Sequence, residues 1–235
     1  MTPDRVIRRR SVFADRLLAF GEFVFSDGAE FARRGAWRDF FGRRIGSAYD
    51  GRLIFEIGCN DAVLLARVAA KHPMTAFIGV DWKCRALHTG AEQIDAAGLR
   101  NVALLHGCGQ DVRRIFADAE LDEVWIFHPD PCDKPRELKN RLIAEPFLLD
   151  VYRTLRDGGG LVIKTDHPEY YQSVVDLSRA VPEQLVVTAC SADFWNDAPV
   201  QSAVAGRCFA GESTCFEHRY RKKRRSIYYV EMRQR

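Results

Sequence analysis

From residue 53 onward, short apolar runs alternate with longer amphipathic stretches, and this pattern more than any other restricts what the chain can fold into. Short apolar runs read as strands buried on both faces and the stretches between them as crossover helices, so the alternation predicts βαβ units and a mostly parallel sheet. Strands are predicted at 53–57, 76–80, 101–105, 123–127, 160–164, 185–189 and 226–232, and helices at about 61–71, 83–97, 110–117, 137–156 and 168–180. Gly158-Gly159-Gly160 reads as a helix stop followed by a strand start. Residues 191–213 read as a loop. Residues 1–50 lack the alternation and carry aromatic-rich patches at Phe20 to Phe31 and Trp37 to Phe41, so they are expected to form an N-terminal helical extension ahead of a domain over 51–235.

A chain of 235 residues, 47% hydrophobic and 29% charged, suits one α/β domain. No apolar run approaches the roughly 18 to 20 residues that a membrane helix needs, and the arginine-rich start has no apolar core with a cleavage site, so a cytoplasmic protein is expected. The cysteines at 59, 84, 108, 132, 190, 208 and 215 form no Cys-x-x-Cys pair, which argues against a disulfide framework and a structural metal. The net charge of +3 is unevenly placed: Arg5, Arg8, Arg9 and Arg10 open the chain, and a basic run covers His218 to Arg225. Such clusters either hold phosphates or form a solvated face.

Two strand ends carry acids at a telling separation. Glu56-Ile57-Gly58 closes the first strand ahead of a helix whose N-terminus faces any ligand there, and Asp81 closes the second, where an acid accepts ribose hydroxyls. The turn Gly58-Cys59-Asn60-Asp61-Ala62 keeps only the first glycine of a dinucleotide pattern, although Asn60 tolerates positive φ. Asp61 would repel a pyrophosphate and attract the ammonium of an amino-acid moiety, which favours S-adenosylmethionine over NAD. The strand at 123–127 delivers Asp130 onto the turn His128-Pro129-Asp130-Pro131-Cys132-Asp133-Lys134, where two prolines restrict the backbone and hold the carboxylate in place.

These pieces resemble the bacterial tRNA (guanine-N7)-methyltransferase family, over about Trp37 to Arg233. In family order they are Glu56-Ile57-Gly58, Phe77 to Asp81, Leu99 to Leu105, and Phe127 to Lys134 for F-x-D-P-W-x-K. There follow Lys139 to Leu142, Lys164-Thr165-Asp166 with Tyr170 for T-D-x-x-x-Y, Ser191 to Phe194, and Thr214-Cys215-Phe216-Glu217 for T-x-[FY]-E ahead of Tyr228 to Glu231. The resemblance implies a class I, Rossmann-like methyltransferase fold, a seven-stranded mostly parallel sheet with helices on both faces, and S-adenosylmethionine as cofactor. It implies that Glu56, Gly58, Asn60, Asp81, Trp82, Cys108, Gly109 and Asp130 hold the cofactor. Asp130 would also be catalytic, between cofactor and base, and Lys134, Asp166, Thr214 and Glu217 would contact the substrate nucleotide, a guanine in the tRNA variable loop that is methylated at N7. Guanine N7 already offers an in-plane lone pair, so the implied chemistry needs alignment and nearby carboxylates rather than a strong base.

The chain departs from the family at several positions. The basic stretch R-H-x-K-R-R is here Arg136-Glu137-Leu138-Lys139-Asn140-Arg141, and Cys132 replaces the tryptophan after Asp-Pro. Asn60 and Ala62 replace turn glycines, and Cys108 replaces the acid beside the adenine. A methyltransferase of the same descent acting on a small purine-like or other heteroaromatic nitrogen compound is therefore a second reading, and a non-catalytic binding relative a third.

Overall fold

The computed structural model describes residues 12–180 and 185–234, so the basic cluster Arg5 to Arg10 lies outside the described residues. Eight strands form one sheet in the order β1-β4-β3-β2-β5-β6-β8-β7. They are β1 (Val24–Phe25), β2 (Leu53–Ile57), β3 (Ala76–Asp81), β4 (Val102–His106), β5 (Leu121–Phe127), β6 (Leu155–Thr165), β7 (Leu185–Ser191) and β8 (Tyr228–Gln234). Strands β1 to β6 run parallel, and β8 is inserted antiparallel between β6 and β7. From β2 the chain winds outward through β3 to β4, then returns to lay β5 on the other side of β2. That reversal is a topological switch point, and ligands of open α/β sheets bind beyond the strand ends there.

Every residue of the central strands β2 to β5 is buried, and because successive side chains point to opposite faces they enter two cores. Leu53, Phe55 and Ile57 join one apolar cluster, with α2 (Trp37–Ile45), α5 (Val112–Ile115), α6 (Glu145–Thr154) and α7 (Pro168–Ala180). Ile54, Trp125 and Phe127 join the opposite cluster, with α1 (Val12–Leu17), α3 (Val63–Lys71), α4 (Cys84–Ala96) and α8 (Ala198–Val204). Helices thus cover both faces, as the apolar runs require.

The differences from the sequence expectations have local causes. The sheet has eight strands rather than seven because β1, two residues paired with Leu104 and Leu105, lies within the stretch read as helical. The described part of residues 1–50 also shares the main core. Trp37 is fully buried, its Nε1 donates to Ile115 O at 3.0 Å, and the Glu120 carboxylate accepts from Gly35 N and Trp37 N. Residue 50 therefore marks a change of pattern and not the edge of the core.

The helix expected at 137–156 begins only at Glu145, because Pro146 has no N–H and fits only the first turn. Residues 191–213 contain α8, whose Asp197 side chain accepts from Val200 N at 3.2 Å, with Pro199 in the first turn. The three glycines do not stop a helix. They lie within β6, where the register with β5 jumps from Leu121↔Leu155 to Glu123↔Gly160. Among the described residues no helix is long and apolar enough to cross a membrane.

Candidate active site

At the switch point the turn after β2 is folded tightly. Gly58 N and Cys59 N both donate to Val80 O, and Asn60 N donates to Asp81 Oδ2 at 2.9 Å. Gly58, Asn60 and Ala62 all have positive φ. Asp81 also accepts from Lys83 N at 2.9 Å. A carboxylate has about four acceptor positions, so Asp81 keeps capacity for ribose hydroxyls while it ties the turn to β3.

The room that the turn lacks glycines to provide comes from outside it. A Cβ on Gly90 of α4 would lie 2.7 Å from Asp61 O, and one on Gly109 would lie 2.2 Å from Ile57 Cγ2. Gly109 thus lets the loop after β4 close on the end of β2. Gly109→Ala is expected to lower stability by about 1–3 kcal/mol through overpacking and to weaken cofactor binding several-fold, as thermal unfolding and calorimetry would measure.

Glu56 is the most unusual group at this corner. Its carboxyl is buried, and Oε2 has no hydrogen-bond partner among the described residues. Burial pushes its pKa up to about 8, and repulsion from Asp81, Asp61 and Glu217 adds to the shift. A crevice of about 30 Å³, roughly the room of one water, is bordered by Glu56, the turn, Phe127 and the segment Thr214 to Phe216. Past Thr214 and Cys215 lies a wider groove of about 460 Å³.

The wall opposite the turn is the start of α9 (Cys215–Lys222). Thr214 Oγ1 accepts from Glu217 N at 3.0 Å, and Thr214 N donates to Glu217 Oε2 at 2.7 Å, a reciprocal capping box. Glu217 is fully buried, and its Oε1 lies 3.1 Å from Lys164 Nζ. Lys164 is buried among the rings of Phe127, Phe194, Trp195 and Phe209, 4.3–5.5 Å from their centroids. Burial lowers its pKa, opposed by the charge of Glu217. This pair fastens α9 to the end of β6; the carboxylate of Glu217, which was expected at the substrate, is buried here and bonded to Lys164 and to the cap of α9. Thr214 borders the crevice while it caps α9.

The other predicted residues lie around this centre. Asp130 is exposed on its turn, where Oδ1 accepts from Cys132 N at 3.1 Å; it stands outside the side chains bordering the crevice. Trp82 is 57% exposed just past Asp81, with Lys83 Nζ 5.4 Å from its ring. Cys108 is partly buried, and burial raises its thiol pKa. Lys134 is exposed, with Nζ 3.4 Å from Glu137.

Asp166 accepts from Arg225 Nη1 at 2.9 Å and stands 3.7 Å from His128 Nδ1. Burial alone would raise its pKa, but His128 and Arg225 outweigh this and hold the carboxyl below its ordinary value. Sequence reasoning did not single out His128, Lys164 or Arg225 as site groups. His128 has φ 55°, a ring packed on Phe216 and Tyr220, and ring nitrogens with no hydrogen-bond partner among the described residues. Among the described residues no group of three or more His, Cys, Asp or Glu side chains is placed to hold a metal ion.

Residues 50–229 match the family model described as "Putative methyltransferase". A tRNA (guanine-N(7)-)-methyltransferase of Geobacillus kaustophilus is 30% identical over 174 residues, covering 74% of this chain and 76% of its own. The enzyme of that name from Geobacillus thermodenitrificans is also 30% identical over 174 residues, covering 74% and 77%. Among solved structures, an antibiotic-related methyltransferase superposes with a TM-score of 0.58 at 17% identity, covering 83% of this chain and 94% of its own, which is a likeness of fold.

Proposed function

The chain belongs to this methyltransferase family and is an S-adenosylmethionine-dependent methyltransferase, and we propose that its methyl acceptor is N7 of a guanine in tRNA. The observation that carries the cofactor reading is Glu56: a buried carboxyl at the switch point whose Oε2 has no hydrogen-bond partner among the described residues and so suits a donor or a cation; the likeness to tRNA (guanine-N(7)-)-methyltransferases supports the acceptor. S-adenosylmethionine supplies both an ammonium and, at its sulfonium, an electrophilic methyl group. Asn60 and Asp81 hold the turn that would receive it, and Gly109 lets the loop after β4 close beside that turn.

On the acceptor side, the chain's task is orientation and charge stabilisation. N7 needs no deprotonation, and methylation leaves the guanine ring cationic. Asp130 follows β5 directly beside β2, and an exposed carboxylate on a proline-stiffened turn suits alignment of the ring and stabilisation of that charge. Asp166, kept ionised, suits the N1–H and 2-amino donors of guanine. Such a substrate places the protein in the cytoplasm.

The test is incubation with methyl-labelled cofactor and bulk tRNA from a strain lacking N7-methylguanosine. Label is expected in RNA. Label that enters small purines and never RNA would instead support the small-molecule reading, which the replacement of an aromatic by Cys132 favours. Asp130→Ala is expected to abolish transfer while leaving the unfolding midpoint unchanged, since Asp130 is exposed. A fully active variant would remove Asp130 from the mechanism.

A further inference from the structure

We propose that the groove beside the crevice is a phosphate-ester subsite that receives the RNA backbone next to the methylated guanine; this rests on the tRNA reading. On α9, Cys215, His218, Arg219 and Lys222 recur at i, i+3, i+4 and i+7 and so share one face, which forms one side of the groove. Glu217 is buried and Tyr220 turns toward His128. Arg67 of α3 forms the other side and is held in place: its Nε bonds Glu212 Oε2 at 2.5 Å and its Nη2 bonds Ser213 O at 2.7 Å. None of the seven lining side chains is acidic.

The groove and the crevice share Thr214 and Cys215. A nucleotide whose base meets the cofactor at the mouth of the crevice therefore has its sugar-phosphate within reach of Arg219 and Lys222, with Arg67, already paired with Glu212, as the opposite wall. Two other cations of the basic run are engaged elsewhere: Arg221 lies over Trp195 at 4.5 Å, and Arg225 pairs with Asp166.

The segment in which the family carries its basic stretch is the alternative track, and there one carboxylate, Glu137, faces two of the cations. Lys134 Nζ and Arg136 Nε lie 3.4 and 3.7 Å from Glu137, and Arg141 bonds Pro131 O and Ser173 Oγ. A phosphate contact is a matter of charge and reach and can move between elements, whereas a base-reading pocket cannot. The phosphate track has moved to α9 and α3.

The test is the salt dependence of binding to tRNA lacking N7-methylguanosine. It compares wild type, the Arg219→Gln/Lys222→Gln double variant and the Lys134→Gln/Lys139→Gln double variant. Each phosphate contact contributes about 0.7–0.9 to the slope of log K against log salt. Removing Arg219 and Lys222 is expected to reduce the slope by about 1.4–1.8 and weaken binding at least tenfold at low salt, with the affinity for S-adenosylmethionine unchanged. The 134/139 pair is expected to change the slope by less than about 0.5. Guanosine 5′-monophosphate against guanosine separates the sources. A preference for the monophosphate that the α9 variant loses puts the target nucleotide's own phosphate in the groove; equal binding puts the flanking phosphates there.

An α9 variant with wild-type slope and affinity, or a larger loss from the 134/139 pair, overturns the groove assignment even if the wild type methylates tRNA. A wild type that neither binds nor methylates tRNA overturns the tRNA reading itself and is recognised without any variant.

Discussion

In the Glu56→Gln variant, cofactor binding loses its steep pH dependence and weakens by about 10- to 100-fold at pH 9, the range expected for a lost charge-assisted hydrogen bond. In the wild type the free carboxyl titrates near pH 8 instead of its ordinary 4.5, because it is buried and faces Asp81, Asp61 and Glu217. A cationic ligand binds the ionised form, so binding at pH 7 must expel the proton that Glu56 holds. Calorimetry in buffers of different ionisation enthalpy is expected to show release of about one proton at pH 7 and nearly none above pH 9, with affinity rising about tenfold per unit below pH 8. The cofactor's own amino group titrates equally in both proteins, so the difference between them reports Glu56. Stability moves the other way. A carboxyl raised in the fold stabilises it fully below about pH 4.5, and that contribution is lost as pH rises through 8, a change on the order of 5 kcal/mol. The ligand-free Glu56→Gln protein should accordingly be more stable than wild type above pH 8. Equal proton release from both proteins would remove Glu56 from the cofactor site.

The second large effect is at Lys164. Lys164→Met leaves the Glu217 carboxylate buried without its cation, and breaking such a pair costs about 3–5 kcal/mol. For a domain of this size the unfolding midpoint is expected to fall by roughly 10 °C. Adding Glu217→Gln should restore most of the loss, because the amide oxygen can still accept from Thr214 N while no lone charge remains. A single variant as stable as wild type would show that the pair does not anchor α9. The pair also sets the angle of α9 and hence the basic face along the groove, so tRNA binding should weaken with the single variant and recover with the double.

Much of this was legible in the chain because a doubly covered parallel sheet writes itself as apolar runs: β2, β3 and β5 could be placed to within two residues or so, and Glu56 and Asp81 stood out as acids at strand ends. β1 was not legible, since two residues paired to β4 leave no period to read. The beginning of α6 was signalled by Pro146, and α8 by Asp197 ahead of Pro199; both signals were present and weaker than the surrounding pattern. Thr214-Cys215-Phe216-Glu217 carries two meanings. The spacing that resembles a substrate motif is also a helix capping box, and in the fold the cap takes Glu217 N and Oε2 while Lys164 takes Oε1. Partners far apart in sequence, such as Lys164 with Glu217 or Asp166 with Arg225, leave no local trace, because only the sheet and α9 bring them together. The same holds for Gly90 and Gly109, which make the room beside the turn from outside it.

The most direct test is to identify the methylated atom. Nucleoside mass spectrometry of tRNA from a strain lacking N7-methylguanosine, after incubation with the protein and S-adenosylmethionine, is expected to show N7-methylguanosine as the new modified nucleoside, and none with Asp130→Ala. A methyl group on any other nucleoside or ring position, or unmodified RNA despite demonstrated cofactor binding, would contradict the assignment.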